Sequence, residues 1–227
     1  MDWTQSHIIS NIPEGERAQC VTFFSPFIRR SHGMAGDVLH FSGDIPEDLV
    51  IVEDGVLQSV QYTNAGEEFS PFYYMDGACV FHIAMLTRKP VMSCCIAVSP
   101  VDYIKISRDV FIEALERFPE FQKSVLLYIC RTSEELINHF FIAQMKKPRH
   151  KICKYLIEIS ARDGMVYTLP FSTEKLAVYL NLARPTLSKE LHLMEDDGLI
   201  KLYRGKIQIV DIKKIYEELN GNGWMGN

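Results

Sequence analysis

Residues 169–200 read Leu169-Pro-Phe-Ser-Thr-Glu-Lys-Leu-Ala-Val-Tyr-Leu-Asn-Leu-Ala-Arg-Pro-Thr-Leu-Ser-Lys-Glu-Leu-His-Leu-Met-Glu-Asp-Asp-Gly-Leu-Ile, a pattern typical of two short helices joined by a tight turn. The first helix is expected to present Leu176, Ala177 and Leu180 to the core, and the small Ala177 lets the second helix approach closely. Asn181 suits the turn because asparagine tolerates a left-handed backbone. The stretch therefore predicts a helix-turn-helix.

The second helix of this pair has one apolar and one polar face. Leu187, Leu191 and Met194 recur at helical spacing and are predicted to point inward. The other face carries cationic and hydroxyl side chains, which suit guanine edges and phosphates in a DNA major groove. The candidate DNA-contacting residues, including two at the start of the first helix, are Ser172, Thr173, Arg184, Pro185, Thr186, Ser188 and Lys189.

A β-hairpin is predicted directly after the second helix. Residues 198–210 alternate apolar and polar side chains on either side of Arg204-Gly205-Lys206. The tip of this hairpin carries two positive charges, so Arg204 and Lys206 are expected to touch phosphate as a wing.

The net charge changes sign along the chain. The whole sequence has a formal net charge of −5, which by itself argues against a nucleic-acid partner. From Lys146 to Asn227, however, 14 Lys and Arg stand against 10 Asp and Glu, a net charge of +4, whereas the remainder has a net charge of −9. Because the positive share coincides with the helix-turn-helix and wing, DNA is the expected partner of the C-terminal half.

Short strand-like runs fill the region from about Ala18 to Ile106, separated by turn residues such as Asp54-Gly55 and Ser99-Pro100. Many short strands at close spacing predict an antiparallel roll, barrel or sandwich. The 227-residue chain, 47% hydrophobic, is long enough for two domains with real cores. We expect an α+β fold with a jelly-roll-like antiparallel β-roll at 1–118, a central helix at 119–145 and a winged helix-turn-helix at 146–227.

A long helix is predicted from Pro119 to about Met145, with proline in its first turn. Apolar side chains recur in it at a spacing near 3.5 residues, which is typical of a seam between two helices, with Ser133 as one polar step. The predicted dimer seam consists of Leu126, Ile129, Leu136, Phe140 and Ala143. The alternative is packing within its own domain, since Leu127, Phe141 and Ile142 add apolar groups on the flank.

The order of acidic β-roll, long central helix and winged helix-turn-helix resembles the Crp/Fnr superfamily of bacterial transcription regulators, over about residues 18–211. The resemblance implies a homodimer that reads a near-palindromic operator, with RNA polymerase as a partner if the protein activates. Arg184 and Lys189 match base-reading positions, and Ser188-Lys189 resembles the Ser-Arg pair of the Fnr branch. Pro185 stands where a base-reading Glu is common, so the familiar half-sites of the family are not expected.

In cyclic-nucleotide-binding members of that superfamily, a Gly-Glu-Leu stretch and an Arg-Ser pair hold the ribose and phosphate. Here His82 stands in place of the Glu and Val91-Met92 in place of the Arg-Ser pair, although Thr132-Ser133 matches a base-contacting Thr-Ser. A phosphate buried against valine and methionine is an unpaired charge, so cyclic AMP is not the expected effector.

A small apolar or aromatic effector between roll and central helix is the functional interpretation of the remaining residues, and plain core packing is the alternative. The candidate pocket residues are Phe72, Tyr74, His82, Met85, Arg88, Thr132 and Ser133. No cofactor is predicted, because the N-terminal cysteine cluster of iron–sulfur relatives is absent and haem would rest on His82 beside Cys79 alone. Redox sensing through Cys79, Cys94, Cys95 or Cys130 stays open.

Six cysteines without a CxxC pair, and no basic-then-apolar leader, predict a cytoplasmic location, and no apolar run is long enough to cross a bilayer. The competing function is a cupin-like roll that holds a metal, or an enzyme with an accessory helical domain. Its ligands would be His32, His40 and His82, which lack the spacing of such sites. We therefore predict no metal ligands, no catalytic residues and no membrane partner.

Overall fold

The computed structural model describes residues 2–62, 68–69, 72–163, 165–168 and 173–220. The chain divides into two compact units, residues 1–134 and 135–227, with the boundary between Glu134 and Glu135. Helices of the first unit are α1 (Glu14–Phe24), α2 (His82–Thr87), α3 (Arg108–Arg117) and the first part of α4 (Pro119–Gln144). Its strands are β1 (Arg29–Gly33), β2 (Val38–His40), β3 (Asp48–Asp54), β4 (Leu57–Tyr62), β5 (Glu68–Phe69), β6 (Tyr73–Tyr74), β7 (Cys79–Val80), β8 (Cys94–Ala97) and β9 (Val101–Ser107).

These strands form two antiparallel sheets, which confirms the predicted β-roll. One has the order β1-β9-β3-β7, and the other has the order β2-β8-β4-β5 with β6 beside β4. Side chains alternate along β3, so Leu49 and Ile51 enter one hydrophobic core while Val50 and Val52 enter the other. The first of these cores is closed by the helices of the unit and the second lies within the roll.

Helix α1 corrects the prediction that strands begin near Ala18. Cys20 and Phe24 lie one helical turn apart and are both buried, and the Phe24 ring packs edge-on against Phe121 of α4, with centroids 5.3 Å apart. Glu16 of α1 also accepts hydrogen bonds from the backbone N–H groups of Glu120 (2.7 Å) and Phe121 (3.0 Å). These bonds satisfy donors that the first turn of α4 leaves open, so α1 caps the central helix.

The second unit contains the end of α4 and a winged helix-turn-helix. The further elements are α5 (Pro148–Asp163), β10 (Val166–Thr168), α6 (Thr173–Tyr179), α7 (Arg184–Asp196), β11 (Ile200–Tyr203), β12 (Lys206–Ile209) and α8 (Ile212–Asn220). The predicted hairpin is confirmed as β11 and β12, but it belongs to a three-stranded sheet of order β10-β12-β11. Ile142 of α4 is fully buried in the core of this unit, together with Leu156, Leu187 and Ile215.

The long helices show no membrane-spanning character. Within the residues that the structure describes, no helix is both long and apolar enough to cross a bilayer.

Candidate nucleic-acid interface

The helix-turn-helix consists of α6, a turn at residues 180–183, and α7. Leu176, Ala177 and Leu180 from the first helix side are buried, as predicted, and Asn181 has a positive φ of 50°. Leu182 is partly buried against the same core. The turn thus has the left-handed asparagine that the sequence predicted, and Leu182 adds an apolar contact with the core.

Helix α7 turns its apolar face inward and leaves a polar face to solvent. Leu187, Leu191 and Met194 are buried, whereas Arg184, Pro185 and Lys189 are exposed. Thr186 and Ser188 are half-buried beside them. The Arg184 side chain keeps 64% of its surface accessible. Arg184, Pro185 and Lys189 of the predicted base-reading face are therefore accessible to solvent.

The wing and the start of α6 supply the remaining predicted contacts. Arg204 and Lys206 are exposed at the β11–β12 turn, where Gly205 adopts a φ of 71° and Tyr203 lies opposite Lys206. Thr173 is half-buried at the first position of α6. Ser172, the other predicted residue here, lies outside the described residues.

Two of the basic residues counted toward DNA stabilise the unit instead. The Lys151 ammonium is buried and donates hydrogen bonds to the carbonyls of Leu180 and Asn181, each over 3.1 Å. Arg149 pairs with Asp197 at 2.5 Å and with Glu218 at 3.0 Å. Lys151 therefore holds the helix-turn-helix turn, a role that the sequence analysis missed because burial of a lysine has no local signal.

A further contact, which the sequence did not indicate, joins α7 to the wing formed by β11 and β12. The Glu195 carboxylate of α7 accepts a hydrogen bond of 2.7 Å from the backbone N–H of Leu202 in β11. This contact links the wing to α7, so the two elements predicted to contact DNA are tied to each other.

The central helix exposes an apolar stripe. Of the predicted seam residues, Leu126 (60% exposed), Leu136 (45%) and Phe140 (59%) face solvent. Ile129 is partly buried against the core of the first unit and Ala143 is half-buried, so both lie off the most exposed line. Ile137 and Cys130 are exposed in their place, and Ile142 is internal. The exposed stripe of α4 therefore includes Cys130 and Ile137, which were not predicted, in addition to the predicted Leu126, Leu136 and Phe140.

The predicted effector-pocket residues lie in different surroundings. Met85 is fully buried in the first core, whereas Tyr74 packs against the second core and stacks on Phe72, with ring centroids 6.0 Å apart. The hydroxyls of Thr132 and Ser133 both donate to the carbonyl of Ile129 within their own helix. Core packing therefore accounts for Met85, contrary to its expected place in a lining.

His82 lies at the junction of α2, β7 and α4. Its Nδ1 is 3.2 Å from the carbonyl of Cys79, and its ring centroid is 5.2 Å from that of Tyr128. The Tyr128 hydroxyl in turn donates to the Cys79 carbonyl and accepts from the Cys79 N–H, both over 3.0 Å. Burial lowers the pKa of His82, which keeps its imidazole neutral. Tyr128, unnoticed in the sequence, thereby ties α4 to the roll.

The residues present do not fit a cyclic nucleotide. Val91 and Met92 have no cationic side chain, and the backbone N–H of Val91 already donates to the Asp44 carbonyl, so this pair offers a phosphate neither a positive charge nor the Val91 donor. Arg88 is exposed in a left-handed conformation after α2. The predicted pocket thus offers a phosphate no buried positive charge.

Three cysteines of the first unit are buried in surroundings that disfavour the thiolate. Burial raises the pKa of the Cys79 thiol, that of Cys20 to about 11 and that of Cys95 to about 12, so their reactive thiolates are suppressed. His32 is exposed and paired with Asp102 at 2.7 Å, whereas His82 is buried. Among the described residues, no group of three or more His, Cys, Asp or Glu is placed to hold a metal.

Comparison with protein-family models matches both units. Residues 32–118 match the model of the cyclic nucleotide-binding domain, and residues 150–217 match the model of the Crp-like helix-turn-helix domain. The two matches fall on the roll and on the winged helix-turn-helix, in the predicted order.

Individual relatives agree with these matches. The chain is 24% identical over 183 residues to the "Transcriptional activator protein anr" of Pseudomonas aeruginosa, covering 78% of this chain and 74% of the relative. It is 18% identical over 174 residues to the "Cyclic AMP receptor protein" of Thermus thermophilus, covering 77% and 80%. The solved structure of FixK2 from Bradyrhizobium japonicum shares the fold, with a TM-score of 0.73, 13% identity and coverage of 84% and 96%.

Proposed function

The chain belongs to the Crp/Fnr family of transcription regulators, and we propose that it binds a near-palindromic DNA operator as a homodimer. The observation that carries the proposal is the exposure of Arg184 and Lys189 on α7 together with that of Arg204 and Lys206 at the wing tip. Exposed Arg at the start of such a helix suits guanine, and the wing cations suit phosphate. The protein is a regulator and not an enzyme, so the cupin-like alternative is not favoured.

Homodimerisation is supported by the apolar stripe of α4. Leucines and phenylalanines exposed along one helix lose contact with water when a second copy of the same helix covers them. Two recognition helices in a symmetric dimer then reach half-sites about one DNA turn apart, near 34–36 Å.

The proposed signal is a small uncharged effector of the roll rather than a cyclic nucleotide. The family model of the roll is that of a ligand-binding domain, but the pocket residues offer no buried cation for a phosphate. Redox sensing through Cys79 or Cys95 is less supported, because burial raises the pKa of both thiols.

If the protein activates transcription, RNA polymerase is its proposed partner on DNA, and three of the relatives are named transcriptional activators. We place the protein in the cytoplasm, where chromosomal DNA of bacteria is accessible.

The DNA-binding proposal is tested by selecting a binding sequence from random DNA and measuring affinity by fluorescence anisotropy over a range of salt. Arg184→Ala and Lys189→Ala should each weaken binding about 5- to 150-fold, as expected for loss of base contacts. Lys206→Ala should weaken all sequences alike and lower the salt dependence by about one phosphate contact. Lys214→Ala on α8 is the control. A wild-type protein without salt-sensitive binding would refute the proposal.

The dimer is tested by disulfide crosslinking through Cys130, which is exposed on the stripe of α4. In a parallel pair of helices, equivalent residues lie opposite each other, so mild oxidation should give a covalent dimer on a denaturing gel. Cys130→Ser should abolish that dimer and Cys94→Ser should not. A wild-type protein that sediments as a monomer at micromolar concentration contradicts the proposed assembly.

A further inference from the structure

An ion pair links the start of the recognition helix to the start of the helix before it. Nη1 of Arg184 lies 2.8 Å from Oε1 of Glu174, and their side chains are 64% and 53% exposed. Glu174 is in the first turn of α6 and Arg184 is the first residue of α7. The cation proposed to read DNA is therefore already held by a carboxylate of its own unit.

The pair leaves most of the guanidinium available. Arginine carries five N–H donors in a rigid fork, and a bidentate contact with guanine uses two of them. The ion pair with Glu174 uses one nitrogen of the guanidinium, Nη1. A long side chain that is fixed at one edge loses less rotamer freedom on binding than a free one, which sharpens the geometry of its contact with a base.

The ion pair between Glu174 and Arg184 contributes little to the stability of the fold. Ion pairs between groups exposed to this degree contribute little to stability, because water screens the attraction and ordering the side chains costs entropy. The buried Leu176, Leu187 and Leu191 hold the two helices together in any case. Removal of the Glu174 charge is thus expected to leave the fold intact and act on recognition.

We propose that Glu174 is a positioning residue that orients Arg184 for reading one base pair of each half-site. The inference rests on the proposed function, since it requires Arg184 to face DNA. A carboxylate near the DNA backbone repels phosphate, so Glu174 lowers affinity for all sequences while it raises discrimination at the base pair that Arg184 reads. These opposite effects distinguish orientation from a simple structural role.

The test uses the full-length protein and the operator selected above, with all four base pairs placed at the position where Arg184→Ala relaxes selectivity. Glu174→Gln should reduce the preference for the best base pair about two- to fivefold, the range of an exposed ion pair. Its affinity for unrelated DNA should stay equal or rise. In the Arg184→Ala background, Glu174→Gln should have no further effect on the preference. Glu217→Gln on α8 makes the same charge change and should alter neither quantity.

The outcomes separate the two proposals. Wild-type discrimination in Glu174→Gln, with the normal loss in Arg184→Ala, refutes the orienting role and leaves the DNA-binding proposal standing. An equal loss of preference from Glu174→Gln with and without Arg184 also refutes it, because the effect would not pass through the arginine. Unchanged discrimination in Arg184→Ala refutes both the orienting role and Arg184 as a base reader.

Discussion

Lys151→Met tests whether a buried ammonium holds the helix-turn-helix together. The wild-type side chain is 5% exposed and donates to the carbonyls of Leu180 and Asn181, each over 3.1 Å. Methionine fills a similar volume without a donor, so the substitution isolates the hydrogen bonds from the packing.

The magnitude follows from these two bonds. A hydrogen bond from a charged group contributes about 1.5–3 kcal/mol, and two of them would give about 3–6 kcal/mol. Burial opposes the charged form and lowers the pKa of Lys151, which offsets part of this gain. We expect a net loss of about 2–3 kcal/mol in the free energy of unfolding of the second unit.

The measurement is urea unfolding followed by circular dichroism. Lys213→Met is the control, because Lys213 is an exposed lysine on α8 of the same unit. The control should lose no more than about 0.5 kcal/mol. A Lys151→Met protein within about 0.5 kcal/mol of wild type would refute the assignment of a stabilising role to these bonds.

Three further predictions concern pH, backbone and capping. Burial and the nearby Lys151 lower the pKa of His139 in the folded protein below its unfolded value. The contribution of His139 to the free energy of unfolding should therefore be full above about pH 7 and fall below about pH 6.5, by at most about 1.4 kcal/mol per pH unit. In thermal melts, His139→Phe should reduce this dependence on pH. In Gly55→Ala the new Cβ would lie 2.2 Å from the Pro100 carbonyl oxygen at a φ of +92°, so the free energy of unfolding should fall by more than about 3 kcal/mol. Gly36→Ala has a similar φ of +94° but open space around the new Cβ, so it should lose only about 1 kcal/mol. Equal melting temperatures of the two variants would contradict the steric argument. Glu16→Ala should lower the stability of the first unit by about 1–2 kcal/mol through loss of the α4 cap, with the exposed Glu14→Ala as the neutral control in urea titrations.

The parts of the fold that the sequence predicted are those with a local signal. Leu176, Leu187 and Met194 mark helix faces by their spacing, and Asn181 marks the turn by its backbone preference. Helix α1 was missed because Cys20 and Phe24 gave too short an apolar series to identify a helix. Both residues are buried in one core with Phe111 of α3 and Phe121 of α4, which lie far along the chain, so no local pattern connects them.

In the candidate site, too, the features with a local sequence pattern were predicted and those that depend on distant residues were not. Exposure of Arg184 and Lys189 follows from helical periodicity, and it was predicted. Lys151 bonds to Leu180, 29 positions away, and Glu174 pairs with Arg184, 10 positions away. No local sequence pattern predicts contacts of this kind. Ile129 obeys the heptad spacing but faces its own unit, because a spacing identifies an apolar face without naming what covers it.

The burial of Ile142 and His139 determines where the protein can be cut. Both side chains belong to the last turns of α4, and both are nearly inaccessible within the unit that binds DNA. A fragment that starts at Lys146 would therefore discard a piece of its own core and leave the Tyr179 ring, 4.6 Å from His139, facing water. A fragment that starts at Glu135 keeps that core closed. Recombinant expression of the two fragments should yield a cooperatively melting domain from the longer one alone.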